Sequence, residues 1–299
     1  MGFEPQGKVG VITGAAGGIG FGMARAFAEV GMRVVLADID ADRLEESAAL
    51  LRSEGLDVVG VATDVTKVAS VRELADATMD TFGRVDVLCN NAGVAMFSTI
   101  AETTIEDWEW TMAINMWGPI YGVKTFLPLI QRNPEPGHIN STASISGLVA
   151  GGTVAPYNVT KHGVVALMAT LERELRSAKS VHRASVLCPG PINTGIGRNS
   201  VRSRRASASP IPTSEPATTS ATARQPDRAS GSEKGQKLGD KMSNALTSGM
   251  DPYQVGKIVL DAMLNDRFWI FTHKGLVKFA REQFEMMETS ELLSRGKLV

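Results

Sequence analysis

Thr13-Gly14-Ala15-Ala16-Gly17-Gly18-Ile19-Gly20 lies between the apolar run Val9, Val11, Ile12 and the helical pattern Phe21 to Val30. That order predicts strand, glycine turn, helix. Gly14 permits a turn that a Cβ would obstruct. Gly18 lets backbone N–H groups approach a pyrophosphate, and Gly20 lets the helix pack closely on the strand. Gly17 and Ile19 belong to the same candidate phosphate turn, and the helix N-terminus would face the phosphates with its partial positive charge. A glycine turn alone can be only a turn, so its neighbours decide.

The next run, Arg33-Val34-Val35-Leu36-Ala37-Asp38, reads as a second buried strand ending in a carboxylate. Its distance from the glycines is that of the ribose-binding acid in a βαβ nucleotide unit. Asp38 can accept hydrogen bonds from both adenosine ribose hydroxyls. It would repel a 2′-phosphate, and neither Ile39 nor Asp40 offers a compensating cation. NAD is therefore expected over NADP. Arg33 and Arg43 are the cations that could overturn this.

The whole chain sets the bounds. Its 299 residues, 43% of them hydrophobic, suit one large α/β domain or two small ones. A net charge of −1 implies neither nucleic acid nor an anionic membrane as partner, and no apolar run approaches a spanning helix. A soluble, cytoplasmic protein is expected. Cys89 and Cys188 each end a candidate buried strand and read as reduced core thiols. His138, His162, His182 and His273 show no metal-ligand spacing, so no metal is expected.

Helix and strand patterns then alternate. Asp40 to Glu54 has helical spacing, and Asp57 to Ala62 is a valine-rich strand followed by Asp64-Val65. Ligands of open parallel sheets sit beyond the carboxyl ends of strands, so Asp64 and Val65 could meet the adenine; a turn-forming Asp is the plainer alternative. Thr66 to Phe82 predicts a helix and Val85 to Cys89 a strand ending in Asn90-Asn91-Ala92-Gly93. Those asparagines are either turn chemistry or ties between strands, while Ala92 and Gly93 would let backbone approach a cofactor. Thr104 to Asp107 resembles an N-cap with an acidic first turn. Asn115 falls in mid-helix among apolar residues, where a local defect or bound water is the natural explanation.

A fifth strand over Gly137 to Thr142 leads to Ser144. Pro156-Tyr157-Asn158-Val159-Thr160-Lys161 then opens a helix that places Tyr157 and Lys161 on one face. A sixth strand, Ala184 to Cys188, ends in Pro189-Gly190-Pro191-Ile192-Asn193-Thr194. Six strands alternating with helices give the doubly wound α/β pattern. A phenol with a pKa of ~10 is a poor base at neutral pH, but a nearby ammonium favours its anion. Lys161 is placed to help, and Ser144 could hold a substrate oxygen beside Tyr157.

With those motifs assembled, the sequence resembles the short-chain dehydrogenase/reductase family over roughly residues 7 to 195, and more weakly near 250 to 275. The resemblance implies a Rossmann-type parallel sheet of about seven strands with helices on both faces. It implies Tyr157 as general acid/base, Ser144 as the residue that orients substrate, Lys161 on the nicotinamide ribose and Asn115 holding a relay water. It further implies that Ile192 and Thr194 contact the nicotinamide carboxamide, beside Pro189 and Gly190, and that subunits pair through helices as homodimers or homotetramers. The expected activity is interconversion of a secondary alcohol and a carbonyl compound. Met96, Phe97, Leu148, Val149, Ala150 and Pro191 suggest an apolar substrate pocket.

Two stretches depart from the pattern. Asn140 stands in the fifth strand where an apolar residue is usual and would need a partner if buried. Arg198 to about Lys241 is rich in Ser, Thr, Ala, Pro and Arg and reads as a mobile insert. Beyond it, Phe268 to Thr272 predicts a seventh strand and Val277 to Leu293 an amphipathic helix. Epimerisation or dehydration of a nucleotide sugar would call for a sizeable second domain. A non-catalytic dinucleotide-binding scaffold that uses the insert for docking is the alternative from another class.

Overall fold

The computed structural model describes residues 2–207, 244 and 246–288. Its first half alternates β1 (Val9–Thr13), α1 (Gly18–Ala28), β2 (Arg33–Asp38), α2 (Ala41–Ser53), β3 (Val58–Ala62), α3 (Val68–Phe82) and β4 (Val87–Asn90). Then come α4 (Ile105–Met112), a π-helical turn (Ala113–Trp117), α5 (Gly118–Ile130), β5 (His138–Thr142), a 3₁₀ turn (Ile145–Gly147), α6 (Ala155–Ser177) and β6 (Arg183–Cys188). The described chain closes with α7 (Ile196–Ser207), α8 (Pro252–Leu264), β7 (Trp269–Phe271) and α9 (Leu276–Glu288).

All seven strands are parallel, in the order β3-β2-β1-β4-β5-β6-β7. The chain winds outward from β1 to β3 and then returns to β4 on the other side of β1. That reversal leaves a crevice above the carboxyl ends of β1 and β4. Alternate strand residues face opposite layers, as parallel sheets covered on both sides require. Ile12, Leu36, Val87 and Leu187 pack with Phe27, Leu51 and Val259 under α1, α2 and α8. Val11, Val35, Leu88 and Val186 pack with Leu74, Phe126 and Met168 under α3, α5 and α6.

One helix contact is set by glycine. A Cβ on Gly22 would lie 2.2 Å from the Pro252 carbonyl oxygen, and one on Gly256 would lie 2.2 Å from the Gly22 carbonyl oxygen. Only bare backbone lets α1 and α8 approach so closely.

The expected strand ends shift by a residue at several places: the third strand starts at Val58, the fifth at His138, the sixth at Arg183, and the seventh is only Trp269–Phe271. Terminal residues pair less regularly than hydrophobic pattern implies. The expected insert is corrected at its start, because Arg198 to Ser207 lies in α7; the rest of that stretch, and the C-terminal helix beyond Glu288, fall outside the described residues. Asn140 is fully buried and donates from Nδ2 to Ser185 Oγ at 2.8 Å. Its Oδ1 has no hydrogen-bond partner among the described residues. Asn115 does sit at a helix irregularity, the π turn. No described helix is long and apolar enough to cross a membrane.

Candidate active site

The crevice floor is the glycine turn. Gly14 has φ of 67°, and a Cβ there would sit 2.8 Å from Ala92 Cα; a Cβ on Gly20 would sit 2.2 Å from the Gly14 carbonyl oxygen. Gly18 also has positive φ, 55°. Gly17 stands at the N-cap of α1 without a side-chain cap, and Ile19 follows in the first turn. The leading N–H groups of α1 therefore point into the crevice without a side-chain acceptor, as an anion-binding helix end requires. Asn91 ties the cradle together. Its backbone N–H donates to Thr13 Oγ1 (3.0 Å), its Nδ2 to the Thr13 carbonyl (3.0 Å), and its Oδ1 accepts from Thr142 Oγ1 (3.1 Å). Ala92 N–H donates to the same Thr13 hydroxyl at 3.1 Å. These amides join β1, β4 and β5.

At the end of β2, Asp38 Oδ2 accepts from Ala16 N–H (3.0 Å) and Oδ1 from Asp40 N–H (3.1 Å). Both anchors hold the carboxylate at the mouth of the turn. Arg33 points elsewhere, to the Gly7 carbonyl and the face of Phe82. Arg43 is the cation that does reach the turn, with Nη2 at 3.5 Å from the Ala16 carbonyl oxygen. Asp64 accepts from Thr66 N–H (3.0 Å) and Oγ1 (2.6 Å) and pairs with Lys67. Burial pushes its carboxyl up, but the Thr66 and Lys67 contacts outweigh this and hold it below the ordinary value. The turn-forming role of Asp64 is thus occupied, while Val65 packs where Gly118 leaves room.

The second half of the site rises from β4, β5 and α6. Lys161 is buried and donates from Nζ to the Thr142 carbonyl at 2.7 Å, with its ammonium 5.4 Å from the centre of the Tyr157 ring. A Cβ on Gly93 would lie 3.3 Å from Asn115 Oδ1 and 3.5 Å from Lys161 Nζ, which places all three together. The Asn115 amide is committed: Oδ1 accepts from Val94 N–H (2.9 Å), and Nδ2 donates to the Val94 carbonyl (2.8 Å) and Thr160 Oγ1 (3.3 Å). Ser144 is buried, and its Oγ accepts from Ser146 N–H at 3.1 Å. Burial pushes the Tyr157 phenol above its ordinary pKa while the Ser144 hydroxyl beside it pulls the other way. Burial lowers Lys161 to about 8.

The loop after β6 closes the far side. Pro189 accepts from Ile145 N–H (3.1 Å), and Gly190 N–H donates to Thr272 Oγ1 (3.0 Å). Ile192 turns its side chain into the core, which leaves its backbone for any contact with a cofactor, whereas Thr194 Cγ2 lies 3.3 Å from where a Gly18 Cβ would be. Sequence reasoning did not single out Thr142 or Val94, and it read Cys188 only as a reduced core thiol at a strand end. Val94 acts through backbone groups that carry no residue signature, and so does the Thr142 carbonyl that accepts from Lys161. Cys188 lies under the site, its thiol pushed up to about 12 by burial against the pull of the Ser144 N–H and Lys161. Among the described residues no cluster of His, Cys, Asp or Glu could hold a metal ion. The positive-φ glycines and the uncapped start of α1 do fit a dinucleotide.

A parallel sheet with this order, a phosphate cradle at its reversal and a Ser–Tyr–Lys cluster beside it describe a dinucleotide-dependent oxidoreductase. A profile of the family described as short chain dehydrogenase matches residues 8–205, and the chain belongs to that family. Members use NAD or NADP on small alcohol or carbonyl substrates. The chain is 37% identical over 191 residues to a 1-deoxy-11-beta-hydroxypentalenate dehydrogenase of Streptomyces exfoliatus, across 63% of this chain and 69% of that one. It is 35% identical over 189 residues to a CLA biosynthesis dehydrogenase/reductase of Lactiplantibacillus plantarum, across 63% of this chain and 66% of the relative. Among solved structures, a short chain dehydrogenase/reductase of Burkholderia phymatum in complex with NAD superposes with a TM-score of 0.86 at 35% identity, covering 98% of this chain and 99% of its own.

Proposed function

We propose that the protein is an NAD-dependent oxidoreductase that interconverts a hydrophobic secondary alcohol and its carbonyl partner, with Tyr157 as general acid/base. The observation that carries this reading is the placement of Lys161 Nζ between the Thr142 carbonyl and the Tyr157 ring, beside buried Ser144. A bound nicotinamide dinucleotide would supply the hydride donor or acceptor. The chain handles the proton. Ser144 Oγ holds the substrate oxygen against Tyr157 Oη, which takes the hydroxyl proton in oxidation and returns it in reduction. Lys161, fixed by Thr142, offers its remaining donors to the ribose and its charge to the phenolate. The Asn115 amide positions Val94 and so shapes the wall next to Gly93; a relay water on the Asn115 backbone is part of the same proposal.

The hydrophobic substrate class is supported by half-buried Met96, Phe97 and Leu148 and buried Val149 on two loops that Ser98 N–H joins to the Thr153 carbonyl at 2.8 Å. The NAD preference rests on Asp38, held at the turn by Ala16 and Asp40, and the NAD complex of the Burkholderia phymatum protein is in keeping with it. Comparing kcat/KM for the two cofactors tests it. NAD should lead in the unaltered protein, and Asp38→Ser should narrow the gap at least tenfold; an NADP advantage before substitution would defeat the assignment. Pairing of subunits through helices is supported by the exposed Trp117 of the π turn and Val159 of α6, 48% and 51% accessible, and light scattering of the purified chain measures it.

A further inference from the structure

Strand β7 reaches the loop after β6 through a side chain. The two strands run in register, with Val186 N–H donating to the Phe268 carbonyl at 2.9 Å and Cys188 opposite Phe271. Alternate N–H groups of β6 point toward β7, so Gly190 N–H is the next in that row after Cys188. There the ladder changes character. Gly190 N–H donates at 3.0 Å to the Thr272 hydroxyl instead of to a carbonyl, and Thr272 is buried. That same Oγ1 lies 2.8 Å from His273 Nδ1, and because a hydroxyl both donates and accepts, either tautomer of the imidazole completes the bond. A Cβ on Gly190 would fall 2.8 Å from His273 Nδ1 and 3.3 Å from Leu276 Cδ1, so the turn rests directly on these side chains.

The residues on either side of Gly190 are tied elsewhere. The Pro189 carbonyl accepts from Ile145 N–H at 3.1 Å, one residue beyond Ser144. The Pro191 carbonyl accepts from Met250 N–H at 3.1 Å, and Asn193 N–H donates to the Met250 carbonyl at 2.9 Å. Proline has no N–H, so Gly190 supplies the first backbone donor beyond the end of β6. Its partner fixes the direction in which the loop leaves the sheet. We propose that Thr272 is a positioning residue for the nicotinamide half of the dinucleotide: its hydroxyl, steadied by His273, sets Gly190 and with it the backbone of residues 190–194, along which that half lies. The inference rests on the dinucleotide reading of the crevice. It gives neither Thr272 nor His273 a part in proton transfer.

The test compares two ligands on the full chain by titration calorimetry: NADH, and ADP-ribose, which keeps the adenosine and both phosphates but lacks the nicotinamide. Thr272→Val keeps the shape of the side chain and leaves Gly190 N–H without its acceptor, so Kd for NADH should rise about five- to thirtyfold. Kd for ADP-ribose should stay within about twofold, and Thr272→Ser, which restores the hydroxyl, should bring NADH back to within about twofold of the unaltered protein. His273→Phe keeps the ring and removes its nitrogens, and should weaken NADH about two- to fivefold with ADP-ribose again unmoved. If Thr272→Val does not fold, His273→Phe decides. Unchanged NADH binding, equal weakening of both ligands, or a Thr272→Ser variant as weak as Thr272→Val overturns the role of Thr272 alone. Failure of the unaltered chain to bind either ligand overturns the dinucleotide reading and this inference with it.

Discussion

Tyr157 sits under two opposed influences, burial raising its pKa and the Ser144 hydroxyl lowering it, and burial wins. A raised pKa favours the protonated phenol, the form that donates to a carbonyl, over the anion that takes a proton from an alcohol. Alcohol oxidation should therefore rise from about pH 6 toward about pH 9, while carbonyl reduction stays flat through neutrality. Lys161→Met should push the oxidation limb about one pH unit or more to the alkaline side, because the cation that favours the phenolate is gone. Oxidation rates that fall over this range would contradict the role. His138 gives a stability counterpart. Burial lowers it to about 4, and its Nε2 lies 2.8 Å from Ser185 Oγ, which already accepts from Asn140 and so has its hydrogen available for a neutral ring. Below its unfolded pKa of ~6.5 the unfolded chain binds the proton first, so stability is lost as pH falls from about 6.5 to 4. The loss attributable to His138 is on the order of 3 kcal/mol, read as a steeper drop in unfolding free energy than His138→Gln shows.

Among the elements, the α1–α8 crossing makes the firmest prediction. Gly22→Ala gains about 1 kcal/mol of helix propensity, but its methyl meets the Pro252 backbone rather than a flexible side chain. The net effect should be a loss of about 1–3 kcal/mol and a lower Tm by calorimetry; an unchanged Tm would mean that the helices part freely. The same comparison shows what a sequence can and cannot announce. Gly14, Gly18, Gly20 and Asp38 are legible because each is demanded by local backbone geometry or by charge at a fixed distance. Asn115 announced a helix defect, since a buried amide in mid-helix needs partners, and the π turn supplies the setting. Helix α7 was hidden. It is held by Ser200, Arg202 and Arg204, whose partners lie about a hundred residues or more away, and hydrophobic periodicity does not register such contacts.

At the scale of the molecule, winding order brings distant segments to one end of the sheet. Thr13, Asn91 and Thr142 interlock above adjacent strands, and α6 delivers Tyr157 and Lys161 to the same rim. The number of strands and the layers were readable from the alternation of patterns; the joining of cradle and Ser–Tyr–Lys cluster through Thr142 was not, because it passes through a carbonyl. Residues 94 to 98 and 148 to 154 are joined by Ser98 and Thr153 into one rim beside that cluster. The account stands on proton transfer at Tyr157, and a Tyr157→Phe substitution, with both NADH binding and turnover followed on a panel of secondary alcohols, tests it most directly. Binding should be retained within a few-fold and kcat should fall by about 10²–10⁴. A Tyr157→Phe variant that turns over as fast as the unaltered protein would contradict the mechanism.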